Sequence, residues 1–290
     1  MLKGISGATK LANAKQLVDL LLEEKLPLLG AAVRKQDIVT TLKLQEECSS
    51  LVYDIRSLSM TEGVLPYQIP EEFASLPQLR GRAVVECTLQ KQNKGMYTVG
   101  VDADNEEKMS QVTLTLTVDG YHAPITAGNF IDLVQRKYYD NMSIQSAEEL
   151  IVQTGKPTTG DGTTDGFVDP KTKEKRVIPL EIFYKKDKQP TYSYTSDDDM
   201  RATESMSLPF QAYGALGMAH DPEDVNTASS QFWFLKWDQA LVAPSRNTLD
   251  GSQACFGYVT KNQDVLKQVS KGDTIISMKV VQGAENFFAK

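Results

Sequence analysis

The sequence predicts an α+β protein in which an N-terminal helical hairpin or bundle precedes a closed antiparallel β-barrel with flanking helices. Three observations carry this expectation. Apolar residues at Leu11, Ala14, Val18, Leu21 and Leu22, and again at Leu44, Cys48, Leu51, Val52, Ile55 and Leu58, recur three and four apart, as on a one-sided helix. The period then changes to two: residues 83–89 (AVVECTL) and 112–118 (VTLTLTV) alternate and are rich in β-branched side chains, as strands are. Beyond them lie many short strand candidates and only one or two helices, the pattern of a barrel.

Pro27 removes an amide donor and breaks or restarts the first helix, and Asp37 before Ile38 supplies a cap for the second stripe. Residues 1–60 are thus a helical segment. So short a piece buries little by itself and is expected to pack on the next domain or on another protein. Residues 61–80 (TEGVLPYQIPEEFASLPQLR) contain Pro66, Pro70 and Pro77 and read as a linker, and residues 81–290 as the β-rich domain. Within that domain Pro124 precedes a helix over 126–134 that presents Phe130, Leu133 and Val134 on one face. Strand candidates follow at 150–153, 214–219, 231–235, 254–259 and 274–281. Segments 157–175 and 185–207 are too long and polar for strands and read as functional or mobile loops.

The formal charge of −7 over 290 residues argues against a general nucleic-acid binder, which needs a basic face. The richest apolar stretch, 17–33, is interrupted by Glu23, Glu24, Lys25 and Pro27, so it does not span a bilayer, and no cleavable signal is read at the N-terminus. Cys48, Cys87 and Cys255 are odd in number and widely spaced, the usage of small buried residues; a single Cys87–Cys255 disulfide is the alternative. His122 and His220 lack metal-ligand spacing, and 221–226 lacks the glycine and glutamate of a calcium loop, so no metal and no cofactor is expected. Gly160-Asp161-Gly162 is not followed by the lysine of a phosphate loop. Asn141-Met142-Ser143 is a glycosylation sequon by pattern alone.

Five ordered motifs carry a resemblance. Ala123-Pro124-Ile125-Thr126-Ala127-Gly128-Asn129-Phe130 resembles the P-x-T-A-x-N-F helix of cyclophilins. Val152-Gln153-Thr154-Gly155 is similar to their Q-G-G strand, Leu216-Gly217-Met218-Ala219 to L-S-M-A, and Ser230-Gln231-Phe232-Trp233 to S-Q-F-F. Leu249-Asp250-Gly251 through Phe256-Gly257 is similar to L-D-G-x-x-x-x-F-G. The resemblance covers about 111–281 and implies a cyclophilin-like barrel. Asp119-Gly120-Tyr121, Ile144-Gln145 and the P-Y-Q-I-P-E-E-F stretch resemble more narrowly the large thylakoid-lumen cyclophilins, which carry an N-terminal helical bundle. That likeness implies a chloroplast thylakoid-lumen location and, as partner, a photosystem II subunit or assembly intermediate.

A cyclophilin lowers the barrier of about 18–20 kcal/mol to X-Pro rotation by seating the proline in an apolar pocket and aiming a guanidinium at the prolyl nitrogen. Here the resemblance puts Gln145 at the family's histidine and Ser146 at its arginine, and a serine hydroxyl is short and neutral. It assigns Leu150, Ile151, Gln153, Met218, His220, Gln231, Trp233, Leu249 and Gln253 to the peptide groove. Of these, Leu150, Ile151, His220, Trp233 and Gln253 are altered from the usual residues, and Thr248 stands where many members have tryptophan. Beside this reading stand plainer ones: Leu150, Ile151 and Trp233 as ordinary core, and Gln153 and Gln231 as satisfied strand side chains. Ser146 has no G-x-S-x-G around it to make a hydrolase nucleophile. The expected function is a cyclophilin-like binding and assembly factor for proline-containing segments, with isomerase activity weak or absent. An active isomerase, and a structural subunit docked through its helices, are the alternatives.

Overall fold

Pro27 shapes the N-terminal helices. The computed structural model describes residues 8–58, 63–100, 106–157, 165–236 and 247–289. In it, helix α1 (Ala8–Asp19) passes into a π-helical turn (Leu20–Lys25) and then into α2 (Leu26–Arg34), with Pro27 in the first turn of α2. Proline cannot donate the hydrogen bond that would continue the register of α1, and the wider turn absorbs the change. Asp37 caps α3 (Ile38–Ser57), accepting from Thr40 N at 3.0 Å as the sequence predicts. The two apolar stripes meet: Leu21, Cys48 and Ile55 are buried together, with Leu17, Val18, Leu29, Leu51 and Val52 around them. No helix among the described residues is long and apolar enough to cross a membrane. These helices belong to Met1–Val64, the first of two units into which the chain divides; the second is Leu65–Lys290.

The second unit contains strands β1 (Gln78–Leu79), β2 (Arg82–Gln90), β3 (Tyr97–Val99), β4 (Glu107–Met109), β5 (Gln111–Asp119), β6 (Met142–Ser143), β7 (Ser146–Ala147) and β8 (Ile151–Thr154). These are followed by β9 (Glu181–Ile182), β10 (Thr191–Tyr192), β11 (Ala215–Met218), β12 (Phe232–Leu235), β13 (Ala254–Lys261), β14 (Thr274–Gln282) and β15 (Phe287–Phe288), with α4 at Pro124–Gln135. Nine of them form one antiparallel sheet in the order β6-β14-β2-β5-β13-β11-β12-β8-β7. The period-two pattern sets its core face: Ala83, Val85, Cys87 and Leu89 of β2 are buried with Val112, Leu114, Leu116 and Val118 of β5.

The expected barrel does not close as a ladder. Its end strands, β6 and β7, are not paired with each other, although both lie in one segment, 142–147. Halfway along, this segment changes partner: Ile144 N donates to Asp273 O at 2.7 Å, toward β14, and Gln145 N donates to Gln153 O at 3.1 Å, toward β8. The strand is interrupted at the change, and the sheet is a curled half-barrel.

Helix α4 also departs from expectation. Instead of one buried face it is buried from Pro124 to Val134, because it packs on β5, β13 and β14 and also against β1 and β15. Residues 65–80, read as the end of a linker, lie within this unit. Tyr67 Oη donates to Tyr121 O at 2.7 Å, Leu79 is fully buried, and β1 pairs with β15. All three cysteines are free. Cys87 faces the main core, Cys255 lies in a separate cluster on the other side of the sheet, and β5 runs between their strands, so the Cys87–Cys255 disulfide has no geometry.

The 185–207 segment is held by the β9–β10 pair, by backbone bonds such as Ser196 N to Gly251 O at 2.7 Å, and by the side chain of Arg201. Arg201 forks twice, to Asp187 (Nη1 2.7 Å, Nη2 2.9 Å) and to Glu204 (Nε 2.9 Å, Nη2 2.8 Å), and its guanidinium lies 3.6 Å from the centre of the Tyr184 ring. Lysine reproduces the charge but not the planar fork. Arg201→Lys is therefore expected to speed limited proteolysis within 185–204 by about tenfold, with little change in global unfolding. An unchanged cleavage rate would show that the fork does not hold the segment.

Candidate peptide-binding face

Strand register places Ser146, Gln153, Trp233, Gly217 and Cys255 opposite one another, in a row across β7, β8, β12, β11 and β13. Directly opposed residues of antiparallel strands project from the same face. Here it is the face turned away from the main core, where Phe210, Ala215, Trp233, Leu235 and Cys255 form a second apolar cluster, with Ile151, Ala219 and Leu249 packed on it. Of the groove residues expected from the sequence, Ile151, Gln153, Trp233 and Leu249 are thus brought together. Gln231 joins them, accepting from Gln153 Nε2 at 3.1 Å.

His220 and Gln253 form a second polar group. His220 Nε2 lies 2.8 Å from Gln253 Nε2 and 3.0 Å from Ser252 O, and Nδ1 lies 2.8 Å from Asp221 O. Ala219 N donates to Gln231 O at 2.9 Å, which places this pair beside the glutamines. Met218 is elsewhere. Alternation turns it opposite to Gly217, into the main core, where it pairs with Phe232 and Ala254. Leu150 stands at the rim, 52% exposed, its carbonyl accepting from Lys236 N at 2.7 Å.

Gln145 and Ser146 both stand opposite Gln153. Ser146 is its register partner and Gln145 N donates to its carbonyl, the two-against-one arrangement of a β-bulge. Both side chains are neutral and engaged. Gln145 grips the Lys156 backbone, donating to its carbonyl at 2.9 Å and accepting from its amide at 3.2 Å, and Ser146 Oγ donates to Glu148 at 3.0 Å. Arg136 and Arg176 both pair with Asp132 of α4, at 2.8 and 2.6 Å. Among the described residues, one cation is linked to the row. Lys156 Nζ pairs with Asp165 at 3.0 Å, and Asp165 accepts from Gln231 Nε2 at 3.2 Å. Neither Lys156 nor Asp165 carries a sequence signal: both act through tertiary neighbours, Asp165 in the 157–175 segment read as a loop and Lys156 just before it.

The apolar floor of this face is filled. Trp233 lies over Gly217, so closely that a Cβ on Gly217 would come within 2.1 Å of its ring, and it stacks on Phe210 at 4.9 Å and 26°. Phe210 is 3% and Trp233 5% exposed. The turn that carries Phe210 is pinned on both sides: Phe210 N donates to Asp250 Oδ1 at 2.7 Å, and Tyr258 Oη donates to Pro209 O at 2.9 Å. Burial pushes the Asp250 carboxyl above its ordinary range and the Cys255 thiol up to about 12, so that thiol is an inert apolar group. Phe210 gave no signal in the sequence because no periodic pattern contains it.

The model of cyclophilin-type peptidyl-prolyl cis-trans isomerases matches residues 105–283. A putative thylakoid lumen peptidyl-prolyl cis-trans isomerase of Synechocystis is 42% identical over 259 residues, which are 89% of this chain and 62% of that protein. The chloroplastic peptidyl-prolyl cis-trans isomerases CYP38 and CYP37 of Arabidopsis thaliana are 38% and 30% identical, over 87% and 76% of this chain and 54% and 44% of theirs. The chain therefore spans between about two fifths and three fifths of the length of these relatives. With five motifs in order on the sheet and α4, and a family match over more than half its length, this chain belongs to the cyclophilin-type peptidyl-prolyl cis-trans isomerase family.

Proposed function

We propose that this chain is a peptide-binding assembly factor of the thylakoid lumen whose prolyl isomerase activity is weak or absent. The observation that carries the reading is the pair opposite Gln153: Gln145 and Ser146 offer no positive charge, and both are held by neighbours. With no guanidinium at the row among the described residues, the developing lone pair of a twisted prolyl nitrogen has no charged donor there, and losing such a donor costs on the order of 10²–10³ in rate. The polar rim of Gln153, Gln231 and Gln253 remains and suits the amide groups of an extended chain. Lumenal placement is supported by the name of the Synechocystis relative, and a chloroplast location by the names of the Arabidopsis ones. A photosystem II subunit or assembly intermediate as partner follows from the resemblance of the sequence motifs, and co-purification of the tagged chain with such intermediates from thylakoids is its check.

The direct test is catalysed isomerisation of an Ala-Pro test peptide. Wild type is expected to fall about a hundredfold below an ordinary cyclophilin in kcat/KM. Ser146→Arg or Gln145→Arg, each opposite Gln153, is expected to raise it by about tenfold. Wild-type activity near that of an ordinary cyclophilin would refute the reading. One observation favours an active enzyme instead: the link from Lys156 through Asp165 to Gln231 and Gln153 brings an ammonium to the edge of the row. In that case Lys156→Met abolishes the activity that wild type shows.

A further inference from the structure

We propose that Phe210 is the specificity-determining residue of this face: by stacking on Trp233 over Gly217 it fills the apolar slot, so the chain binds extended polypeptide without inserting a prolyl ring. The inference rests on the peptide-binding reading above and deepens it by naming the class of ligand. Three observations converge on it. An open proline pocket must leave the faces of its apolar wall free to take the ring, yet Trp233 and Phe210 are almost wholly covered, and Ala215, Leu235 and Cys255 beside them are buried too. Gly217 has no side chain because the indole occupies that space, with an added Cβ only 2.1 Å from the ring. Finally, the main chain that carries Phe210 is held by Asp250 on one side and Tyr258 on the other, so the ring does not leave the slot by a shift of its turn.

What the face leaves open is polar. Gln153 and Gln231, bonded to each other, and Gln253 with His220 are half-buried around the filled floor, with Ile151 and Leu249 at its margins. Amides present both a donor and an acceptor, which matches the alternating N–H and C=O groups of any extended backbone and selects weakly among side chains. Burying the three ring methylenes of a proline is worth roughly fiftyfold in affinity where a slot is open, and that discrimination is absent where the slot is occupied.

The test uses the whole chain and two labelled peptides that differ only in a central Ala-Pro or Ala-Ala, titrated by fluorescence anisotropy against wild type, Phe210→Leu and Phe210→Ala. Wild type is expected to bind the two peptides within about threefold of each other, and Phe210→Ala to prefer the prolyl peptide by about tenfold or more. Phe210→Leu keeps part of the filler and is expected to fall between them, which carries the comparison if the alanine variant loses its fold in thermal unfolding. A wild-type preference of about tenfold or more for the prolyl peptide overturns the inference, as does an unchanged preference in folded Phe210 variants. Either result leaves peptide binding itself standing. Failure of every variant to bind either peptide instead defeats the peptide-binding reading on which the inference rests.

Discussion

Gly128→Ala is expected to lower the unfolding free energy by about 3 kcal/mol in urea titration. Two effects of opposite sign compete at this position. In a helix interior, alanine is favoured over glycine by about 1 kcal/mol, so propensity alone predicts a more stable protein. Packing predicts the reverse and should win. A Cβ on Gly128 would lie 2.4 Å from Gln78 Cα and 2.5 Å from Pro77 O, both main-chain atoms. A flexible side chain could step aside there; a backbone held by the β1–β15 pair cannot. The variant must therefore push β1 off α4, which exposes Leu79 and loosens the tie between the two ends of the unit. Amide exchange should show the loss first at residues 78–79 and 287–288. Unchanged or increased stability would mean that β1 is not held against the helix.

This glycine shows what the sequence discloses and what it does not. Its presence belongs to a recognisable motif, Ala127-Gly128-Asn129-Phe130, but its reason is a strand that approaches from a stretch read as a linker. Features set by local chemistry were legible: the Asp37 cap, the period of two in β2 and β5, and the helical spacing that gathers Leu21, Cys48 and Ile55. Features set by register were not. Register turns Met218 into the core while Gly217, one residue before it, faces the outer cluster, and it separates Cys87 from Cys255 by a strand and a face. The partner change at Ile144 and Gln145, which leaves the sheet a half-barrel, depends on β14, far away in the chain, as well as on nearby β8. At the candidate site the pattern of glutamines and aromatics was visible in order along the chain. That Phe210 would lie on Trp233 was not, because stacking is decided by how the 209–210 turn is pinned to Asp250 and Tyr258.

The second large effect is a stability that falls as pH rises, and its source is Glu181. This carboxyl is buried at the N-terminus of α4, accepting from Ile125 N at 3.2 Å and Thr126 N at 2.8 Å. Burial, the largest influence, pushes its pKa up to about 7, against the opposing pull of the Thr126 and Ile125 donors. In the unfolded chain the same group titrates near 4.5. The sign follows from proton counting. Between those two values the folded protein holds a proton that the unfolded chain has released, so the stabilisation is fully present below pH 4.5 and is lost as pH rises through 7. Integrated over the whole window, it amounts to about 3 kcal/mol. Asp119 does not blur the window. Burial alone would raise its pKa, but His122 and Arg82 together hold it down at about 2, so its contribution is lost only at far lower pH. Urea unfolding followed from pH 5 to pH 8 should therefore show a falling stability in wild type. Glu181→Gln, which cannot ionise, should flatten the part of that slope due to this group, while Asp119→Asn leaves it in place. Equal slopes in wild type and Glu181→Gln would show that the buried carboxyl at the α4 terminus stays charged across the range, its helix donors outweighing its burial.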